Sequence, residues 1–162
     1  MQINKVEVKM HKVIERKTFC KILVPIYESR TSSDKAVEYA IKISQDYDAQ
    51  LVILNVIRSD TNLHNVSVPS HVIGMKEQAQ AYFVKITEKI HEDRNKENVL
   101  RIKTEIVASV KPADAIVSYA KDKDIDLIVL ETRTSSKFKG ILVGNIESYV
   151  VRFAHCAVLT VK

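Results

Sequence analysis

What most limits the folds open to this chain is a set of short runs in which almost every residue is apolar. Residues 21–26 read KILVPI, residues 51–57 read LVILNVI and residues 127–130 read LIVL. A strand with one wet face alternates apolar and polar side chains. A run without that alternation, rich in branched residues, belongs to a strand covered on both faces, and such strands are typical of parallel sheets with helices above and below. Between the runs, apolar residues return at helical spacing. Ala36, Ala40 and Ile43 do so in the first interval, where Ser32 or Ser33 can cap the helix start. Met75, Ala79, Tyr82, Phe83, Ile86 and Ile90 do so in the second.

Residues 101–108 behave differently. Ile102, Thr104, Ile106 and Ala108 alternate with charged and polar residues, as in a half-exposed strand near a sheet edge. Pro112 then opens a helix in its first turn, where a missing N–H costs nothing, and Ala113, Ile116, Val117 and Ala120 supply its apolar face. The final stretch, residues 126–162, reads strand, polar loop, helix (Ile146, Tyr149, Val150, Phe153) and last strand. Alternating strands and helices with right-handed crossovers predict an α/β fold. The form expected is a doubly wound parallel sheet of five strands in the order 3-2-1-4-5. The first and fourth strands are then neighbours at the topological switch point, and ligands bind beyond the carboxyl ends there. Pro25, Tyr27, Val56, Glu131, Thr132, Arg133 and Thr134 are expected to share that cleft.

At 162 residues the chain fits one domain that can bury a core without disulfides or metals. No apolar run approaches the roughly 20 residues of a membrane span, and the N-terminus has no charged-then-apolar leader. The expectation is a cytoplasmic protein without membrane contact. Cys20 and Cys156 read as buried free thiols, and His11, His64, His71, His91 and His155 show no metal-ligand spacing, so no metal is expected. Most of the net charge of +5 comes from residues 1–21, where Lys5, Lys9, Lys12, Arg16, Lys17 and Lys21 outnumber Glu7 and Glu15. That arm has no interleaved aromatics, which disfavours nucleic acid as a partner. Residues 1–18 therefore read as a basic extension to a domain spanning 19–162, although Val6, Val8 and Met10 alternate as in an added strand. Deleting residues 1–18 should leave thermal stability nearly unchanged. A loss above about 2 kcal/mol in a denaturation experiment would show that the arm packs, since ordinary surface changes cost far less.

Catalytic motifs are scarce. Neither a P-loop nor a Gly-x-Gly-x-x-Gly occurs, and the glycines are Gly74, Gly140 and Gly144 alone. Ser135 and Ser136 lack a nucleophile elbow, and Asp126 and Glu131 belong to opposite ends of one strand, so no catalytic residue is assigned. Arg133, Lys137 and Lys139, with the hydroxyls of Thr132, Thr134, Ser135 and Ser136, precede a helix N-terminus and could hold an anion. A solvated polar loop is the plainer reading.

The stretch 126–162 resembles the universal stress protein family, whose last third runs strand, Gly-x-x-Gly loop, nine residues, Gly-Ser or Gly-Thr, helix, strand. Aligned without a gap, Glu131 falls on the first glycine, Thr134 on the second, Gly144 on the third and Asn145 on the Ser or Thr. KILVPI resembles the family's opening strand, which normally ends Pro-x-Asp; Tyr27 stands at the Asp position. Leu54-Asn55-Val56 looks like the family's Leu-His-Val. Val107 and Pro112 match its Val-x-x-Gly-x-Pro, with Val110 at the glycine. The resemblance covers about residues 19–162.

It implies a Rossmann-like fold, similar to adenine nucleotide alpha hydrolases, and a homodimer paired through the last strand, Ala157, Val158, Leu159, Thr160 and Val161. In the nucleotide-binding branch the glycine motif holds ribose and phosphates, and the Asp contacts adenosine. Here only Gly144 is retained. The resemblance therefore implies a non-enzymatic homodimeric module in stress response or signalling, without a cofactor and not binding ATP through the usual motif. The alternative is a sensor that takes an adenine nucleotide, ATP or AMP, or another anion through a modified loop. Weak ATP hydrolysis and a nucleic-acid adaptor role for the basic arm are lesser alternatives.

Overall fold

In the computed structural model, residues 18–27, 34–59, 70–92, 100–131 and 146–162 are described. Thr132, Arg133, Thr134, Gly144, Asn145 and the first 17 residues lie outside them. The elements are β1 (Lys21–Tyr27), α1 (Asp34–Tyr47), β2 (Gln50–Arg58), α2 (Ser70–Glu92), β3 (Ile102–Ser109), α3 (Pro112–Asp122), β4 (Leu127–Glu131), α4 (Ile146–Phe153) and β5 (Ala157–Val161). The strands form one parallel sheet in the order β3-β2-β1-β4-β5, as the alternation of elements predicts.

The three continuous apolar runs are its inner strands, and successive residues along them enter different cores. Ile22, Val24, Leu51 and Ile53 pack with Ala36, Val37 and Ala40 of α1 and with Phe83 and Ile86 of α2. Leu23, Val52, Leu54 and Val56 pack on the other face with Ile116, Tyr119 and Ala120 of α3 and Val150 of α4. Each fully buried Leu or Ile contributes about 1.5–3 kcal/mol, and the half-buried Asn55 of β2 is the polar exception inside the three runs. Ahead of β1, Phe19 closes edge-on against Tyr47 at the end of α1, with ring centroids 5.1 Å apart.

The edges carry the weaker patterns. β3 is half-exposed along most of its length, as its alternation predicts. β5 exposes Ala157 and Thr160 and buries Val161. Among the described residues no helix is long and apolar enough to cross a membrane, and no group of three or more His, Cys, Asp or Glu could hold a metal ion. The turns after α1 and α3 each place an Asp in the left-handed region, Asp48 at φ 48° and Asp124 at φ 52°. Asp tolerates that conformation better than most residues, so these helices end without glycine.

Two local expectations are corrected. The thiols are not both buried: Cys20 is exposed and Cys156 half-buried. Both stand at the amino edge of the sheet, where the strands begin and cover is thin. Burial still pushes the Cys156 thiol up. Beside them Asp126 accepts hydrogen bonds at Oδ2 from the backbone N–H groups of Cys20 and Lys21, each at 2.9 Å, so this carboxylate anchors the start of β1 far from the carboxyl ends. The second correction concerns α4, whose apolar spacing predicts an inward face that includes Tyr149 and Phe153. These are 38% and 50% exposed, and Glu147 and Val150 are buried instead. The helix turns its Glu147, Val150 and Ala154 side inward, at helical spacing i, i+3, i+7. Tyr149 and Phe153, four residues apart, stack on each other at 4.4 Å outside it.

Candidate functional site

The site grows out of one proline. Along β1 successive carbonyls point to opposite neighbours: that of Cys20 accepts from Gln50 N–H at the start of β2, and that of Lys21 accepts from Asp126 N–H on the β4 side. Residue 25 faces the same way as residue 21, so the N–H that Pro25 lacks is one that would have been given to β4. The ladders reflect this. β1 pairs with β2 along its whole length, from Lys21↔Gln50 to Tyr27↔Val56. With β4 it pairs only at Ile22↔Leu127 and Leu23↔Ile128. β4 itself continues, paired with β5 as far as Glu131↔Val161. The registered β1–β4 ladder thus stops at Leu23↔Ile128, on the way to the switch point of the sheet, where open α/β sheets bind ligands beyond the carboxyl ends of the strands.

The residues expected there divide between the two faces of the sheet. Pro25, Tyr27 and Val56 fall on the face covered by α3 and α4, by strand alternation from Leu23 and Leu54. Pro25 is buried and Val56 is 1% exposed, so both belong to the core beneath the carboxyl ends of the strands. Tyr27 is half-buried against the same core. Its hydroxyl donates a hydrogen bond to Glu147 Oε1 at 2.6 Å. Glu131 falls on the opposite face, in line with Leu127 and Val129. It is half-buried, and its Oε2 is covered with no hydrogen-bond partner among the described residues. Thr132, Arg133, Thr134, Gly144 and Asn145 lie outside the described residues.

Glu147 is the residue that sequence reasoning missed. It is 7% exposed, in the first turn of α4, where the helix dipole favours a carboxylate. Its signal in the sequence was an acid two positions after Asn145 at a helix start, a pattern more often seen on solvated helices. The carboxyl ends of β1 and β4 therefore carry a phenol–carboxylate pair on one face of the sheet and a second carboxylate on the other. That equipment accepts hydrogen bonds and opposes phosphate.

Comparison with known proteins agrees with the architecture. The profile of the universal stress protein family matches residues 18–162. A universal stress protein of Methanocaldococcus jannaschii is 32% identical over 148 residues, which cover 88% of this chain and 81% of the relative. The solved structure of universal stress protein UspA from Lactobacillus plantarum is similar, with a TM-score of 0.60 at 27% identity over 89% of this chain and 98% of that one. A universal stress protein from Archaeoglobus fulgidus, solved in complex with dAMP, has the same fold at a TM-score of 0.62 and 18% identity, covering 90% of this chain and 99% of that one. This chain belongs to the universal stress protein family.

Proposed function

We propose that this protein is a non-enzymatic homodimeric module of stress response or signalling in the cytoplasm, and that it does not bind ATP through the family's glycine motif. The observation that carries the reading is Glu131. It ends β4 at the switch point, at the position where the family pattern has its first glycine, and one of its carboxylate oxygens is covered without a partner among the described residues. A carboxylate here meets the phosphates of a nucleotide with charge of the same sign. Calorimetry tests this part directly: the wild type should give weak or undetectable ATP binding, and tight binding would overturn it. The dAMP complex of the Archaeoglobus relative favours a second reading, an adenine-nucleotide sensor with a modified loop after β4.

Dimerisation is supported by the position of β5. Its inner edge pairs with β4, and its outer edge has no strand beside it among the described residues. An open edge with Val158 and Leu159 along it invites pairing with a second copy. Sedimentation at micromolar concentration should report two chains. Proline variants at Leu159 and Thr160 sharpen the test, because neighbouring residues in a strand direct their N–H groups to opposite edges. One substitution should damage the inner ladder and stability, and the other should release monomers that keep the parent's melting temperature. A monomeric wild type, or a dimer indifferent to both, would sink the idea.

A further inference from the structure

We propose that Tyr27 and Glu147 form a latch that closes the crevice beyond the carboxyl ends of β1 and β4 from the α4 side and sets which ligands that crevice admits. The proposal rests on the reading of that crevice as the ligand cleft and deepens it. Three observations converge. The β1–β4 ladder stops after Leu23↔Ile128, because Pro25 has no N–H to give to β4, and this marks the carboxyl ends of the two strands as the place where regular pairing gives way. Tyr27, at the end of β1, then reaches to the first turn of α4 through the 2.6 Å bond from its hydroxyl to Glu147 Oε1. Glu147 is 7% exposed, so the acceptor is held in place and its hydrogen bond is shielded from competing water.

The bond therefore ties together the carboxyl end of β1 and the amino end of α4, two elements at the switch point of the sheet. A ligand entering between them has to displace the phenol. If it is an anion it also meets the Glu147 carboxylate, which offsets the positive end of the helix dipole that would otherwise attract it. The latch thus acts in two ways. The phenol excludes by bulk, whatever the charge of the ligand, whereas Glu147 discriminates against phosphate.

Adenosine and AMP separate the two effects, since one is neutral and the other charged. The experiment is calorimetric titration of the full-length chain with each, for the wild type and for Tyr27→Phe, Tyr27→Ala and Glu147→Gln. Tyr27→Ala should strengthen binding of both ligands by more than about tenfold, because it removes the ring as well as a hydrogen bond to a charged group that is itself on that scale. Tyr27→Phe, which keeps the ring and its packing, should give a smaller gain. Glu147→Gln should favour AMP more than adenosine. Should Tyr27→Ala fail to fold, Tyr27→Phe and Glu147→Gln carry the test alone. Folded variants that bind neither ligand more tightly than the wild type would overturn the latch. So would weaker binding in Tyr27→Phe, which would make Tyr27 a ligand contact. Tight ATP binding by the wild type overturns the proposed function on its own and is read without any variant.

Discussion

A chain carrying Glu131→Gly, Thr134→Gly and Asn145→Ser should bind ATP about a thousandfold more tightly than the wild type, measured by calorimetry. Two unit charges about 4 Å apart in a partly screened site repel by roughly 4 kcal/mol, and each factor of ten in affinity is about 1.4 kcal/mol. Removing the Glu131 carboxylate from the end of β4 therefore accounts for most of the gain. Replacing Thr134 removes a side chain where nucleotide-binding members of the family have none, and Asn145→Ser restores the hydroxyl of their pattern. Tyr27, a further departure, needs a paired change. Tyr27→Asp alone would set a new carboxylate against Glu147, whose Oε1 is now 2.6 Å from the Tyr27 hydroxyl. With Glu147→Gln alongside, the substitution should add to the gain; without it, the like charges should cancel part of it. No improvement in the full set would mean that the glycine positions do not govern nucleotide binding in this chain.

Ile53→Ala and Leu54→Ala should each lower the free energy of unfolding by about 2–5 kcal/mol in chemical denaturation. The two residues are neighbours in β2 and both are 0% exposed, yet they enter different cores. Ile53 packs on the side of α1 and α2, Leu54 on the side of α3 and α4. Truncating either leaves a cavity whose lining cannot collapse far, because it is built from the sheet and a helix layer together. A strand buried on one face only would tolerate one of the two substitutions at little cost. Such a result would contradict the two-layer burial. Tyr39→Ala, at a site 54% exposed on α1, is the matched control and should change stability by less than about 0.5 kcal/mol.

Much of the fold was readable from residue order alone. The unbroken runs in β1, β2 and β4 require cover on both faces, the alternation in β3 requires an edge, and right-handed crossovers leave few arrangements beyond the observed order. Asp126 could be assigned to the opposite end of the sheet from the site by position in its strand, and its bonds to Cys20 and Lys21 place it there. The site was readable only in outline. Pro25 and Tyr27 could be expected in the cleft, but which neighbour lost a donor to Pro25 depends on which way residue 25 faces. That follows from the pairing of Cys20 and Lys21 and from nothing in KILVPI itself.

The local sequence of β1, β2 and β4 determined that they are strands buried on both sides, because burial preference acts residue by residue and leaves its mark at each position. What only the tertiary structure decided was the company each side chain keeps at the carboxyl ends. The rotation of α4 about its axis turned Glu147 inward and left Tyr149 and Phe153 outside, although its spacing alone favours the aromatics as the buried face. Glu147 could move inward because Tyr27, 120 residues away, supplies the hydrogen bond that a buried carboxylate requires. Neither residue's neighbourhood in the chain contains that information. It exists only once the sheet has brought the end of β1 to the start of α4.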